Sequence, residues 1–199
     1  MRNLFPRTFL VTSAAVAALY AGVVRAEDAE LVQTNLVSDI PGLATITDPE
    51  LHNPWGVSHS PTSPFWVSNQ GTSTATLYAV TDETNVSKIN INPPAGFVAI
   101  PKTLTGPQGP TGQVNNTNTA CFPVSVSSGG DGGSAHFIFA NLNGTISAWD
   151  KGTTAFIQAM GTTGTVYTGL AINGGQTRLY AANDVAPGRI DVYTAPSNR

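Results

Sequence analysis

The chain has 199 residues, of which 41% are hydrophobic and only 11% charged, with 20 glycines, 14 prolines, one cysteine and a formal net charge of −3. Helical bundles and coiled coils draw on Ala, Leu, Glu, Lys and Arg, so this composition argues against them and for short strands joined by tight turns. An ordinary apolar content spread along the whole chain excludes extended disorder, and the length suits one domain or two small ones.

The chain opens with Arg2 and Arg7 ahead of an uncharged run, Thr8 to Val24, and Val24-Arg25-Ala26 offers small or apolar residues where a signal peptidase reads. Residues 1–26 are read as a signal peptide; the competing reading, an uncleaved anchor, wants about 20 apolar residues to cross the hydrocarbon core. Cleavage removes three arginines and leaves 173 residues with a net charge of −6. An acidic chain has no basic stripe for a phosphate backbone, so no nucleic-acid partner is expected. No later run is long enough to span a bilayer, which implies no transmembrane segment after signal cleavage and a secreted or periplasmic protein. Cys121 is alone, so it makes no intrachain disulfide and cannot found a thiolate zinc site; burial between Ala120 and Phe122 is expected.

After an N-terminal segment at 27–52, a three-strand pattern recurs. Its first copy is Trp55-Gly56-Val57-Ser58, Phe65 to Asn69 and Ala75 to Val80. The second is Phe122 to Val126, a glycine loop, His136 to Asn141, then Thr145 to Asp150. The third is Gly169 to Ile172, Arg178 to Asn183 and Arg189 to Tyr193. Each copy is a strand, a strand ending in Asn, and a strand carrying an aromatic residue near its end. Asn141 to Asn183 is 42 residues and Trp149 to Tyr193 is 44, the length of one four-stranded propeller blade. Asn69 to Asn141 is 72, an excess assigned to a Pro/Gly/Asn-rich insert at about 93–119. Fourth strands are expected at Val86 to Ile91 and Ala155 to Ala159, and none follows the third copy. The predicted fold is all-β: a partial β-propeller over 53–199 with blades at about 53–92, 120–160 and 168–199, the last incomplete. Such an array would leave two apolar faces in water. The favoured reading is a truncated product of a longer gene; the alternatives are a ring formed by self-association through exposed blade faces, or an open solenoid.

Asp48-Pro49-Glu50-Leu51-His52-Asn53-Pro54-Trp55-Gly56-Val57-Ser58, with Phe65-Trp66-Val67-Ser68-Asn69-Gln70-Gly71-Thr72 and Gly144-Thr145-Ile146-Ser147-Ala148-Trp149, resembles a family of exported, mostly bacterial six-bladed β-propeller proteins of uncharacterised function. The resemblance covers residues 31–199 and implies that this chain is the N-terminal half of such a propeller. More distantly, Leu179-Tyr180-Ala181-Ala182-Asn183-Asp184 is similar to NHL-repeat and gluconolactonase-like propellers.

Asn69, Asn141 and Asn183 share one repeat position, and Asp184 follows the last. Their side-chain oxygens could converge on a divalent cation such as Ca²⁺ or on a sugar hydroxyl, and gluconolactonase-like propellers hold a metal in such a place. Asn before a polar turn also caps its own strand, which by itself would recur in every blade, and this is the favoured reading. His52, His59 and His136 form no metal-binding spacing. No Gly-x-Ser-x-Gly elbow occurs, and the acid pairs Asp48/Glu50 and Asp82/Glu83 read as solvated loop charges. Ser128 to Ser134 lacks the lysine of a phosphate loop and reads as a strand connection. Trp55, Trp66 and Trp149 are expected to pack between blades or over an edge. Asn85, Asn115 and Asn143 open glycosylation sequons, of use only in a eukaryotic secretory host. The expected function is a secreted, non-catalytic binding or scaffold module; the alternative is a metal-dependent hydrolase of the lactonase type, its channel-mouth site completed by further blades.

Overall fold

A computed structural model describes residues 31–195 except 83 and 92. By its contacts the chain divides into residues 1–33 and 34–199, and every element described here belongs to the second unit. The signal-peptide reading at 1–26 lies outside the described residues, among which no helix is long and apolar enough to cross a membrane.

The described chain is all-β. Two short parallel strands, β1 (Val37–Ser38) and β2 (Ile46–Thr47), come first. Sheet one follows, antiparallel in the order β3 (Pro54–Ser58), β4 (Phe65–Asn69), β5 (Thr74–Val80), β6 (Val86–Lys88). The fourth position of this sheet is shared, because β6 pairs with residues 78–80 of β5 while β7 (Phe97–Ala99) pairs with residues 74–76. Sheet two is β8 (Pro110–Asn115), β9 (Phe137–Asn141), β10 (Thr145–Trp149) and β11 (Phe156–Met160). Sheet three is β12 (Tyr167–Ile172), β13 (Arg178–Asn183) and β14 (Arg189–Thr194).

One expected strand is elsewhere. The first strand of the second copy is Pro110–Asn115, inside the presumed insert, and not Phe122–Val126. Phe122 has φ 54°, Pro123 brings no N–H, and residues 126–128 coil into a 3₁₀ turn, so the apolar 122–126 run cannot extend a ladder. The insert therefore supplies both β7 and β8. The glycine-rich loop does fall between β8 and β9, as a strand connection should.

With β8 in place the repeat becomes closer. Asn69 pairs with Pro54, Asn141 with Pro110 and Asn183 with Tyr167, each next to a register shift in the first strand. Gly56, Gly112 and Gly169 are the third residues of β3, β8 and β12. A Cβ on Gly56 would lie 2.5 Å from the Thr111 carbonyl oxygen, and one on Gly112 would lie 2.2 Å from the Leu170 nitrogen. Glycine is required there because β8 runs backbone to backbone beside both β3 and β12.

Strand alternation gives each sheet two faces. Here the front is the face carrying the repeated Asn. The back of sheet one (Trp66, Ser68, Ala75, Leu77) packs on the front of sheet two (Phe137, Phe139), joined by Val98 and Ile100. Trp66 stacks on Phe137 with centroids 4.0 Å apart and meets Trp149 at 4.8 Å. The back of sheet two (Ile138, Ala140, Ile146, Ala148) packs on the front of sheet three (Leu179, Ala181). Thus Trp66 and Trp149 sit between sheets as expected, whereas Trp55 is 46% exposed on β3. The front of sheet one is not left bare: Val67 and Tyr78 are buried with Leu51 against Val37 and Val86, so part of the chain's own N-terminal segment covers it.

Candidate functional site

The three repeated asparagines are buried, at 0%, 0% and 4% exposure for Asn69, Asn141 and Asn183. Each amide group ties the end of its second strand to the third residue of the next. Asn69 Nδ2 donates to Thr74 Oγ1 (3.1 Å) and Thr76 Oγ1 (2.9 Å). Asn141 Nδ2 donates to Thr145 Oγ1 and Ser147 Oγ, both at 3.1 Å. Asn183 Nδ2 donates to Asp191 Oδ2 at 2.8 Å. Thr76, Ser147 and Asp191 are therefore partners that a search for Asn alone misses, although their constant offset within β5, β10 and β14 was visible in the repeat.

The oxygens differ between sheets. Asn183 Oδ1 accepts from the Val185 amide at 3.1 Å, whereas Asn69 Oδ1 and Asn141 Oδ1 are buried with no hydrogen-bond partner. Asp184 is exposed. Among the described residues no hydrogen bond joins any two of these four, and no three of His, Cys, Asp and Glu lie close enough to hold a metal ion. A Ca²⁺ shell wants six to eight oxygens with several carboxylates. The three amides stand on three different sheets, each with its Nδ2 bound to the next strand of its own sheet, and Asp184 is exposed, so this set brings a single carboxylate where Ca²⁺ prefers several.

Sheet three concentrates the polar chemistry. Tyr167, fully buried, donates to Asp191 Oδ2 at 3.0 Å, and its hydroxyl lies 2.5 Å from that of Tyr193. Arg189 Nε donates to Asp191 Oδ1 at 2.8 Å. Burial opposes ionisation of Asp191, but the donors Asn183, Arg189 and Tyr167 outweigh it and hold the carboxyl below its ordinary value. Burial, with the hydrogen bonds to Tyr193 and Asp191, pushes the Tyr167 phenol well above its ordinary value. At neutral pH the cluster is an ionised, fully solicited acceptor beside a protonated phenol, which suits strand tethering better than proton transfer.

Asp48 anchors the N-terminal segment. Its carboxylate, almost wholly buried, accepts from Tyr78 Oη at 2.6 Å, Lys88 Nζ at 2.8 Å and the Glu50 amide at 3.0 Å. Burial would raise this carboxyl; the Lys88, Tyr78 and Glu50 hydrogen bonds and the Lys88 charge overcome it, so the folded value lies below the ordinary one. The contribution is present above the unfolded value of about 3.9 and is lost as pH falls through the still lower folded value. In urea titrations, stability should drop on acidification below about pH 4, and Asp48→Asn should flatten that limb while lowering stability at pH 7 by about 1–3 kcal/mol. An unchanged acid limb would remove Asp48 from this role.

The remaining candidates are structural or isolated. Asp82 accepts from the Thr84 and Asn85 amides in a tight turn, while Glu83 lies outside the described residues. His52 packs on Gly71, His59 Nδ1 lies 2.9 Å from the Ser60 carbonyl, and the His136 ring is 6.3 Å from that of Trp149. Cys121 is buried.

Antiparallel sheets of this kind, each built outward from an inner strand, are the units of β-propeller architecture. The chain matches no protein-family model and no curated protein. One similar solved structure is a gluconolactonase from Xanthomonas campestris, an enzyme important in glucose secondary metabolic pathways, at 17% identity and a TM-score of 0.43. The match covers 73% of this chain and 39% of that one, so the chain spans about two fifths of the length of that enzyme. The likeness assigns no residue a role.

Proposed function

We propose that the protein is an exported, non-catalytic binding or scaffold module of the β-propeller kind, the leading part of a ring whose next sheet docks on the back of sheet three. One observation carries this reading. Tyr180, Ala182, Ile190 and Val192 stand at the register positions held by Trp66, Ser68, Ala75 and Leu77 in sheet one and by Ile138, Ala140, Ile146 and Ala148 in sheet two. Those eight are buried between sheets, yet Ile190 is 60% and Val192 53% exposed. Two β-branched side chains on β14, the outermost strand of sheet three among the described residues, are an adhesive surface. The face has no charged side chain at these four positions, so it suits another sheet's apolar front and not a polyanion.

Light scattering on residues 27–199 tests it. The wild-type chain should associate at micromolar concentration, and Ile190→Lys with Val192→Lys should yield a folded monomer. A monodisperse wild-type monomer would overturn the docking role. Ca²⁺-dependent hydrolysis of a sugar lactone by the purified chain would overturn the non-catalytic reading in favour of the lactonase alternative.

A further inference from the structure

Each joint between neighbouring sheets is made of two halves. In the first, Trp66 and Leu77 on the back of sheet one lie on Phe137 and Phe139 on the front of sheet two. In the second, Ile138 and Ala148 on the back of sheet two lie on Leu179 and Ala181 on the front of sheet three. The two end sheets carry one unused half apiece. Ile190 and Val192 stand on the back of sheet three at the positions of Ala75 and Leu77. On the front of sheet one, Phe65 pairs with Tyr78 across the β4–β5 ladder, as Phe137 pairs with Trp149 and Leu179 with Tyr193 in the other two sheets. Phe137 and Leu179 are 3% and 2% exposed beneath the sheet that covers them, whereas Phe65 is 38% exposed.

The N-terminal segment covers only part of this front. Leu51 and Val37 pack on Val67 and Tyr78, and a cleft of about 490 Å³ stays open, lined by Leu36, Val37 and Leu51 of the segment and by Val57, Phe65 and Val80 of the sheet. Val57, 61% exposed, pairs with Val67 as Gln113 pairs with Phe139. The Gln113 amide crosses the first joint to the Trp66 carbonyl, so a side chain at this position reaches an arriving sheet. Among the described residues no charged side chain lines the cleft, and Lys88 on the same face is already paired with Asp48.

We propose that the back of sheet three docks on the front of sheet one of a second copy of this chain, with Ile190 and Val192 seated in the cleft beside Val57 and Phe65. The inference rests on the docking role assigned above to sheet three and adds the identity of the occupant. Both halves of the joint belong to one chain, so every copy brings the complement to both ends of its neighbour, and the contact is head-to-tail. Two sheet-three backs meeting face to face would set protruding side chains against each other; the front of sheet one offers the hollow that receives them. A charged or strongly hydrated partner would lose its solvation against these aliphatic and aromatic walls without a compensating group.

The test is a mixing experiment on residues 27–199 followed by light scattering. Val57→Glu with Phe65→Glu alters the front half, and Ile190→Lys with Val192→Lys alters the back half. Each double variant alone should keep the wild-type far-UV circular dichroism and raise the apparent Kd of self-association at least about tenfold. An equimolar mixture of the two should regain association, because one native joint forms and the altered joint sets Glu opposite Lys. Should the front double variant fail to fold, Val57→Glu alone changes the more exposed of the two positions and carries the same expectation. A wild-type monomer would overturn the docking role of sheet three together with this inference. Wild-type association that survives the front substitutions would overturn this inference alone and leave the docking role standing with another occupant; so would front and back variants that stay monomeric when mixed.

Discussion

Trp66→Ala is expected to lower stability by about 3–5 kcal/mol, a large share of the roughly 5–15 kcal/mol that holds a domain together. Trp66 is 2% exposed and is the ring on which Phe137 and Trp149 both rest. Its removal costs the transfer energy of a full indole and leaves a void between two sheets whose backbones are held by ladders and cannot close over it. Urea unfolding followed by circular dichroism should show a lower midpoint at unchanged slope. A loss below about 1 kcal/mol would mean that the two sheets are not packed through this cluster. The back face of sheet three makes the contrast: Val192, at the register position of Leu77, should tolerate a polar residue in the isolated monomer.

Gly112→Val should cost at least about 2–3 kcal/mol, and the reason lies in backbone and not in packing volume. A Cβ at Gly112 would stand 2.2 Å from the Leu170 nitrogen and 2.6 Å from the Gly169 carbonyl carbon. Both are main-chain atoms of a paired strand, so neither can swing aside as a flexible side chain would. The variant must push β12 away from β8 and open the joint between sheets two and three. Gly174, where an added Cβ meets nothing within 4 Å, is the control, and Gly174→Ala should stay within about 0.5 kcal/mol of wild type. Thermal melts of the two variants side by side decide the matter; similar losses would show that the close approach of β8 and β12 is not what Gly112 provides.

Most of the strand order was legible because strands bounded by Gly, Asn and Pro with alternating apolar residues leave a local trace. Phe65–Asn69, Phe137–Asn141 and Arg178–Asn183 announced themselves by β-branched and aromatic content and by a closing Asn. β8 did not. Pro110-Thr-Gly-Gln-Val-Asn reads as turn sequence, since its neighbours meet its backbone at Gly112 and its Thr111 hydroxyl donates to the Ala140 and Tyr167 carbonyls, at 3.1 and 2.8 Å. Phe122–Val126 carried the apolar pattern of a strand and spends it instead on Val124 and Phe122, which pack into the core between sheets two and three. The shared repeat position of the asparagines was legible, but their Thr, Ser and Asp partners needed the strand pairing to be seen.

By itself, then, the amino-acid sequence determined an all-β chain of recurring short strands, the repeat position of Asn69, Asn141 and Asn183, and a lone buried Cys121, all properties that depend on residues near one another in the chain. Which strand opens sheet two, which face of each sheet is covered, and that one joint is filled by three rings while the next is filled mainly by aliphatic side chains were decided only by the tertiary structure. Those outcomes turn on what a side chain meets across a gap between sheets, where Trp66 finds Phe137 from 71 positions away and Ile138 finds Leu179 from 41.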